Sequence, residues 1–357
     1  MSSVTPSSTK SSSGNYFEDF RVGQRIRHAT PRTLTEGDVA VYQACYGGRF
    51  ALQSSHAFAR AAGYPAAPLD DLLVFHVVFG KTVPDLSLNA VANLGYADVR
   101  FLAPVFAGDT LSAETEIIGL RENSNRESGV VYVRSTGFNQ NGTPVLTFAR
   151  WVMVRKRDAA TAAPAPVVPD LPAHVLPADL GHAVPPLEVR AYDRVLAGSE
   201  CVWSDYAAGE RIDHIDGMTI EEAEHQLATR LYQNTAKVHF NQLSEGQGRF
   251  GRRLVYGGVV ISIARALSFN GLANAFHIAA INGGRHVAPV FAGDTVHAWS
   301  EVLDRAEVPG RGDIGALRLR TIATKNLPCT GFPGPSEPPT PTTGVILDLD
   351  YWAVLPR

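Results

Sequence analysis

Apolar positions along this chain recur with two periods, and the switches between them mark its elements. Strand-like alternation surrounds residues 24–28, and a helical stretch follows Thr35, with Glu36 and Asp38 in its first turn, where the positive end of the helix dipole favours acidic groups. A turn at Gly47-Gly48 precedes a second helix, from about residue 69 to 83, that is apolar on nearly every side. Period-two stretches follow, clearest over residues 130–138 and 145–154. Between those two, residues 139–143 contain Asn141-Gly142 and read as a hairpin turn. Residues 1–14 have no apolar periodicity and are expected to be disordered.

Residues 159–190 break the pattern, with seven prolines from Pro164 to Pro186, and read as a semi-extended interdomain linker. Beyond them the pattern returns. Ala103-Pro-Val-Phe-Ala-Gly-Asp-Thr110 recurs letter for letter from Ala288 to Thr295, 185 positions later. At almost the same offset Gly23 meets Gly209, Ile26 meets Ile212, His28 meets His214 and Thr33 meets Thr219. Asp38 falls opposite Glu224, and Leu72-Leu73 opposite Gly258-Val259. The chain is an internal duplication. One insertion, residues 327–343 with six prolines, breaks the symmetry and reads as a lid or an idle loop; it holds no residue of obvious chemistry, which favours the idle loop.

Each half reads as strand, helix, long apolar helix and several antiparallel strands. A sheet wrapped around one buried helix satisfies that order, with the halves, residues 15–158 and 191–357, paired as a pseudo-dimer. Composition narrows the class. A 45% hydrophobic and 19% charged chain of 357 residues suits two soluble domains. A formal charge of −3 without a long basic run argues against nucleic acid. The absence of about 18 consecutive apolar residues argues against a membrane span. Cys45, Cys201 and Cys329 are too far apart for a Cys-x-x-Cys unit, and there is no apolar signal segment, so a cytoplasmic protein is expected.

The candidate chemistry is concentrated in residues 233–260. Asn234 and His239 stand five positions apart, followed by a basic, glycine-rich loop over residues 246–253 and an apolar run led by Gly257 and Gly258. An imidazole that can move protons, beside free backbone N–H groups at a helix start, suits a carbonyl compound whose oxygen gains negative charge. A structural histidine and a glycine pair that only marks a turn would look the same taken singly. His214, His225 and His239 lack metal-ligand spacing.

The Pro-Val-x-x-Gly-Asp-Thr junction, following a helix that starts at a glycine, resembles the MaoC-type hot-dog hydratases, once per half over nearly the whole chain. The resemblance implies an α+β double hot-dog fold. That family's signature is Gly-Asp-x-Asn-Pro-aliphatic-His, and here Gln233-Asn-Thr-Ala-Lys-Val-His239 keeps the histidine but puts Asn234 at the aspartate position. The first half reads Gly47-Gly-Arg-Phe-Ala-Leu-Gln53, with Gly48 and Gln53 at those two places and Asp71 where the second half has Gly257. Only the second half can then be catalytic.

More narrowly, Pro68-Leu-Asp-Asp-Leu-Leu-Val-Phe-His76, Asn89-Ala-Val-Ala-Asn-Leu-Gly-Tyr96, Ser268-Phe-Asn-Gly-Leu272 and Leu254-Val-Tyr-Gly-Gly258 are similar to the branch of that family acting on mesaconyl-CoA. This implies reversible hydration of a CoA thioester by a homo-oligomer, most simply a dimer, with neither metal nor redox cofactor. His239 would move the proton and Asn234 would hold the water or orient the imidazole. Tyr256, Gly257 and Gly258 would meet the thioester, with Arg249, Arg252 and Arg253 near for the substrate's free carboxylate, although a solvated surface accounts for each arginine singly. Either His239 shuttles both protons, or a carboxylate such as Glu245 or Glu224 contributes. A hydratase for another enoyl-CoA, a thioesterase and a non-catalytic acyl-CoA-binding protein are the alternatives.

Overall fold

Thr35 sets the first helix. Its hydroxyl accepts from the Asp38 N–H while the Asp38 carboxylate accepts from the Thr35 N–H at 2.8 Å, a reciprocal cap for α1 (Glu36–Tyr46). Gly47 ends α1 in the left-handed region at φ 60°, and short α2 (Ala51–Ser54) and α3 (His56–Ala61) follow. The long helix α4 (Asp71–Leu86) is capped by the Asp70 carboxylate, which accepts from the Leu72 N–H at 2.8 Å, and its residues from Leu72 to Val83 are all buried. The computed structural model describes residues 10–335 and 344–357, so residues 1–9 of the expected tail and 336–343 of the proline-rich loop lie outside the described residues.

The strands of the first half are β1 (Arg25–Thr33), β2 (Ala90–Phe101), β3 (Thr110–Glu122), β4 (Ser128–Phe138) and β5 (Pro144–Arg155). The second half repeats the order with β6 (Arg211–Thr219), α5 (Glu222–Leu231), α6 (Lys237–Phe240), α7 (Gln242–Glu245), α8 (Gly257–Leu267) and α9 (Phe269–Leu272). Its remaining strands are β7 (His277–His286), β8 (Thr295–Glu307), β9 (Ile314–Lys325) and β10 (Val345–Pro356). All of them join one ten-stranded sheet in the order β1-β3-β4-β5-β2-β7-β10-β9-β8-β6, which reads the same from either end once the halves are matched. Every pairing is antiparallel. Helix α4 packs on β1, β3, β4 and β5, and α8 on β6, β8 and β9, so each half-sheet wraps its own apolar helix. This is the expected double hot-dog.

The repeated octapeptide is a structural junction. In each copy the aspartate carboxylate accepts from a phenylalanine N–H, Asp109 from Phe106 at 2.8 Å and Asp294 from Phe291 at 3.0 Å. Gly108 and Gly293 sit at φ 99° and 93°, where a side chain would be strained, and donate to the Leu34 and Ile220 carbonyls. The Val105 carbonyl accepts from Leu69 and the Val290 carbonyl from Val255, at 2.8 and 2.9 Å. The junction therefore fixes where each central helix begins.

The segment over residues 159–190 has little regular structure but is tied down. Val167 exchanges two backbone bonds with Leu120, and the Val175 carbonyl accepts from the Trp352 indole at 3.0 Å. Leu180, Val184 and Leu187 join a core cluster with Phe276 and Trp352. In the described part of the proline-rich loop, the Pro333 carbonyl accepts from the Trp299 indole at 2.9 Å. Among the described residues no helix is long and apolar enough to cross a membrane.

The halves meet at two places that matter for the site. Strands β2 and β7 pair at the centre of the sheet, with Tyr96 opposite Gly284 and Val99 opposite Ile281. Above that seam Gly80 of α4 lies against the turn after α5, where a Cβ would overlap the Tyr232 carbonyl oxygen. Backbone cannot swing away as a side-chain tip can. Gly80→Ala should therefore lower stability by about 1–3 kcal/mol, read as a drop in the thermal midpoint; an unchanged midpoint would mean that the two halves do not touch there.

Candidate functional site

The turn seated on Gly80 leads to the site. Gln233 has φ 52°, and the buried Asn234 donates its N–H to the Thr229 carbonyl at 3.1 Å while its side-chain oxygen accepts from Ala236 N at 3.0 Å. This Asx turn launches α6, which carries His239. His239 Nδ1 lies 2.9 Å from the Leu254 carbonyl. A carbonyl only accepts, so Nδ1 holds the proton and Nε2 is left with a lone pair. The Leu254 N–H returns to the Val238 carbonyl at 2.9 Å, and Gln226 donates to the His239 carbonyl at 2.6 Å. Burial pushes the imidazole down to about 4, against the opposing Leu254 bond, so it is neutral at pH 7.

The pairing of residues 238 and 254 brings His239 beside the start of α8, three residues further on. Gly257 and Gly258 open that helix, where first-turn N–H groups have no intrahelical acceptor. Neither position tolerates a side chain: a Cβ on Gly257 would overlap the His286 ring, and one on Gly258 would overlap Tyr256 and meet His76. The Tyr256 ring packs edge-on against His239 at 5.4 Å between centroids and lies 5.9 Å from Phe79 of α4. Burial holds its hydroxyl well above the ordinary value, so it stays protonated.

His286, at the end of β7, was not among the residues singled out from sequence. The residue is exposed, its ring covers Gly257, and Nε2 lies 3.4 Å from the Tyr96 hydroxyl. Desolvation of the ring by its neighbours, with His239 nearby, lowers its pKa from the ordinary histidine value. The repeat carried a signal for it, since His286 stands opposite Phe101 at the 185-residue offset.

The three arginines are placed differently from one another. Arg253 forms an ion pair with Glu222, which also holds His225 at 3.2 Å. Arg252 lies over the Phe291 ring at 3.9 Å and Arg249 over Phe250 at 5.1 Å, both with exposed side chains. Glu224 lies in the first turn of α5 and Glu245 accepts from the Ser244 hydroxyl at 3.2 Å; among the described residues neither bonds to His239.

At the equivalent place in the first half neither the histidine nor the helix-start glycine is present. Gln53 donates its side-chain amide to the Phe276 carbonyl at 2.8 Å. Asp71, standing where Gly257 is, accepts from His277 Nδ1 and from the Ile278 N–H, each at 2.8 Å. A carboxylate at that helix start repels a developing oxyanion, and a neutral amide is no base.

A family model described as mesaconyl-CoA hydratase matches residues 2–328. The chain is 60% identical to a β-methylmalyl-CoA dehydratase from Chloroflexus aurantiacus, covering 98% of this chain and 99% of that one. It is 59% identical to a mesaconyl-CoA hydratase from Cereibacter sphaeroides, covering 98% and 100%. Among solved structures, a MaoC domain protein dehydratase from Chloroflexus aurantiacus superposes with a TM-score of 0.94 at 60% identity, over 98% of this chain and 99% of that one. A double-hotdog protein from Mycobacterium tuberculosis superposes with a TM-score of 0.75 at 26% identity, over 97% and 99%. With its duplicated fold and relatives matched along almost their full length, the chain belongs to the mesaconyl-CoA hydratase family.

Proposed function

We propose that this protein is a hydro-lyase that reversibly hydrates mesaconyl-CoA to β-methylmalyl-CoA. The observation that carries the reading is the unblocked Nε2 of His239, held neutral beside the free N–H groups that open α8. His239 Nε2 takes a proton from water as the hydroxyl oxygen bonds to the β-carbon. The electron pair of the double bond moves toward the thioester, and Gly257 N–H stabilises the enolate oxygen. The imidazolium then returns its proton to the α-carbon, so water is added and no electron acceptor is needed. His239 thus acts as base and then as acid. Removing water from β-methylmalyl-CoA retraces the same steps.

Asn234 acts through the turn that carries the base. Asn234→Asp keeps an oxygen for the Ala236 N–H and should retain most turnover, whereas Asn234→Ala should lower kcat about tenfold or more by misplacing the imidazole. Equal rates for the parent and Asn234→Ala would remove that positioning role.

Incubation with mesaconyl-CoA should bleach the enoyl-thioester absorbance without releasing thiol to a thiol-reactive dye. Thiol release would favour a thioesterase, and no change with either probe would favour a binding protein. A kcat/KM for crotonyl-CoA equal to or above that for mesaconyl-CoA would leave a hydratase of other specificity.

A further inference from the structure

Arg150 is a buried cation that no anion balances. It lies on β5 beside Phe148, is 1% exposed, and makes one hydrogen bond, from Nη2 to the Thr82 hydroxyl at 2.8 Å. Its Nε and Nη1 are buried without any partner, and among the described residues no carboxylate reaches it. An isolated guanidinium in such a place is strongly unfavourable unless something compensates it. Part of the compensation is the Phe79 ring, 4.2 Å below the guanidinium.

The fold does not require this charge, and the duplication supplies the control. Arg150 stands opposite Val133 and Tyr96, and in the second half the same place, opposite Leu319 and Ile281, holds Tyr351. Tyr351 is neutral and accepts from the Thr321 hydroxyl at 3.2 Å. An architecture built twice, once with tyrosine, has no structural need for arginine at the other copy.

Arg150 also borders the site. Phe79, under its guanidinium, lies 5.9 Å from Tyr256, and Tyr256 packs on His239. Tyr96, its cross-strand neighbour, reaches His286. By contrast Arg253 is already paired with Glu222, and Arg249 and Arg252 are exposed on their loop.

We propose that Arg150 is the specificity residue that receives the substrate's second, free carboxylate, which makes the missing counter-charge part of the ligand. This rests on the mesaconyl-CoA reading above. Its unpartnered donors supply charge-assisted hydrogen bonds to the carboxylate. A straight-chain enoyl thioester leaves the cation unpaired and is disfavoured for that reason.

The test compares kcat/KM for mesaconyl-CoA and crotonyl-CoA in the parent, Arg150→Gln and Arg150→Lys. In the parent mesaconyl-CoA should be preferred; if it is not, the substrate reading itself fails before Arg150 is in question. In Arg150→Gln the mesaconyl-CoA value should fall about 100-fold, while the crotonyl-CoA value holds or rises. A parallel loss for both substrates in folded protein, or an unchanged ratio, overturns the proposal. Should Arg150→Gln fail to fold, Arg150→Lys decides. It keeps the charge but not the planar donor set, and should lower the ratio about tenfold through KM; an unchanged ratio there overturns the proposal equally.

Discussion

His239→Ala is expected to lower kcat for mesaconyl-CoA hydration by about 10²–10⁴-fold, the range that a positioned general base contributes. Circular dichroism should be unchanged, because α6 is short and among the described residues the ring makes one hydrogen bond, to the Leu254 carbonyl. Gln53→Ala, at the matching place in the other half, should leave the rate near the parent's; equal losses from both changes would sink a one-site mechanism. The pH profile follows from the protonation state. Only the neutral imidazole accepts a proton from water, and its environment holds it down at about 4. On the acid side, kcat/KM should therefore stay level from pH 7 to about 5 and fall as pH drops through about 4. An acid limb centred near 6.5, the ordinary histidine value, would show that the ring is not desolvated in the working enzyme.

Gly257→Ala should have the second-largest effect. The new methyl overlaps the His286 ring, so either that imidazole or the first turn of α8 must move. Both movements displace the N–H proposed to meet the thioester oxygen. Loss of one such donor lowers kcat by about 10²–10³-fold. The loss should appear in kcat more than in KM, because the oxygen carries its full negative charge only near the transition state. Gly257→Ala with unchanged kcat would move the oxyanion site elsewhere. Val259→Ala, on the same helix but buried in the core, should by contrast lower the thermal midpoint and spare kcat.

Local features were legible wherever neighbouring residues decide the outcome. The Thr35 cap, the Asn141-Gly142 turn and the octapeptide junction are all written within a few residues of where they act. The apolar run after Gly258 was less informative. Helix α8 stops at Leu267, and Asn270 and Gly271 leave helical geometry with Gly271 at φ 101°, a break that hydrophobicity does not register. Pairings between distant positions were invisible. Nothing near Arg253 announces Glu222, and Gly80 reads as an ordinary helix glycine until the Tyr232 carbonyl is placed against it. Arg150 is the sharpest case. In Thr147-Phe-Ala-Arg150 a charged residue on a strand reads as solvent-facing, and only the folded sheet shows it turned inward with Phe148. His286 and Arg150 both stand out as sites where the two copies differ, so differences between the repeats carried information that motif spacing lacked.

The seam between β2 and β7 also bears on how the sheet avoids edge-to-edge pairing with other strands. Fusing the half-sheets leaves β1 and β6 as the outer strands, so a single molecule offers two unpaired edges rather than four. Those two are poor templates for another strand. β1 carries Arg25, Arg27, Pro31 and Arg32, and β6 carries Arg211, Asp213 and Asp216. The inner pair is less protected at its centre, where Ala97 faces Gly283 and Val99 faces Ile281, although Arg100 faces Ala280 at one end. A chain severed between its halves would expose these small and aliphatic edges, and aggregation would compete with reassembly. Covalent linkage keeps the sticky edges at high effective concentration for each other and out of reach of neighbouring molecules.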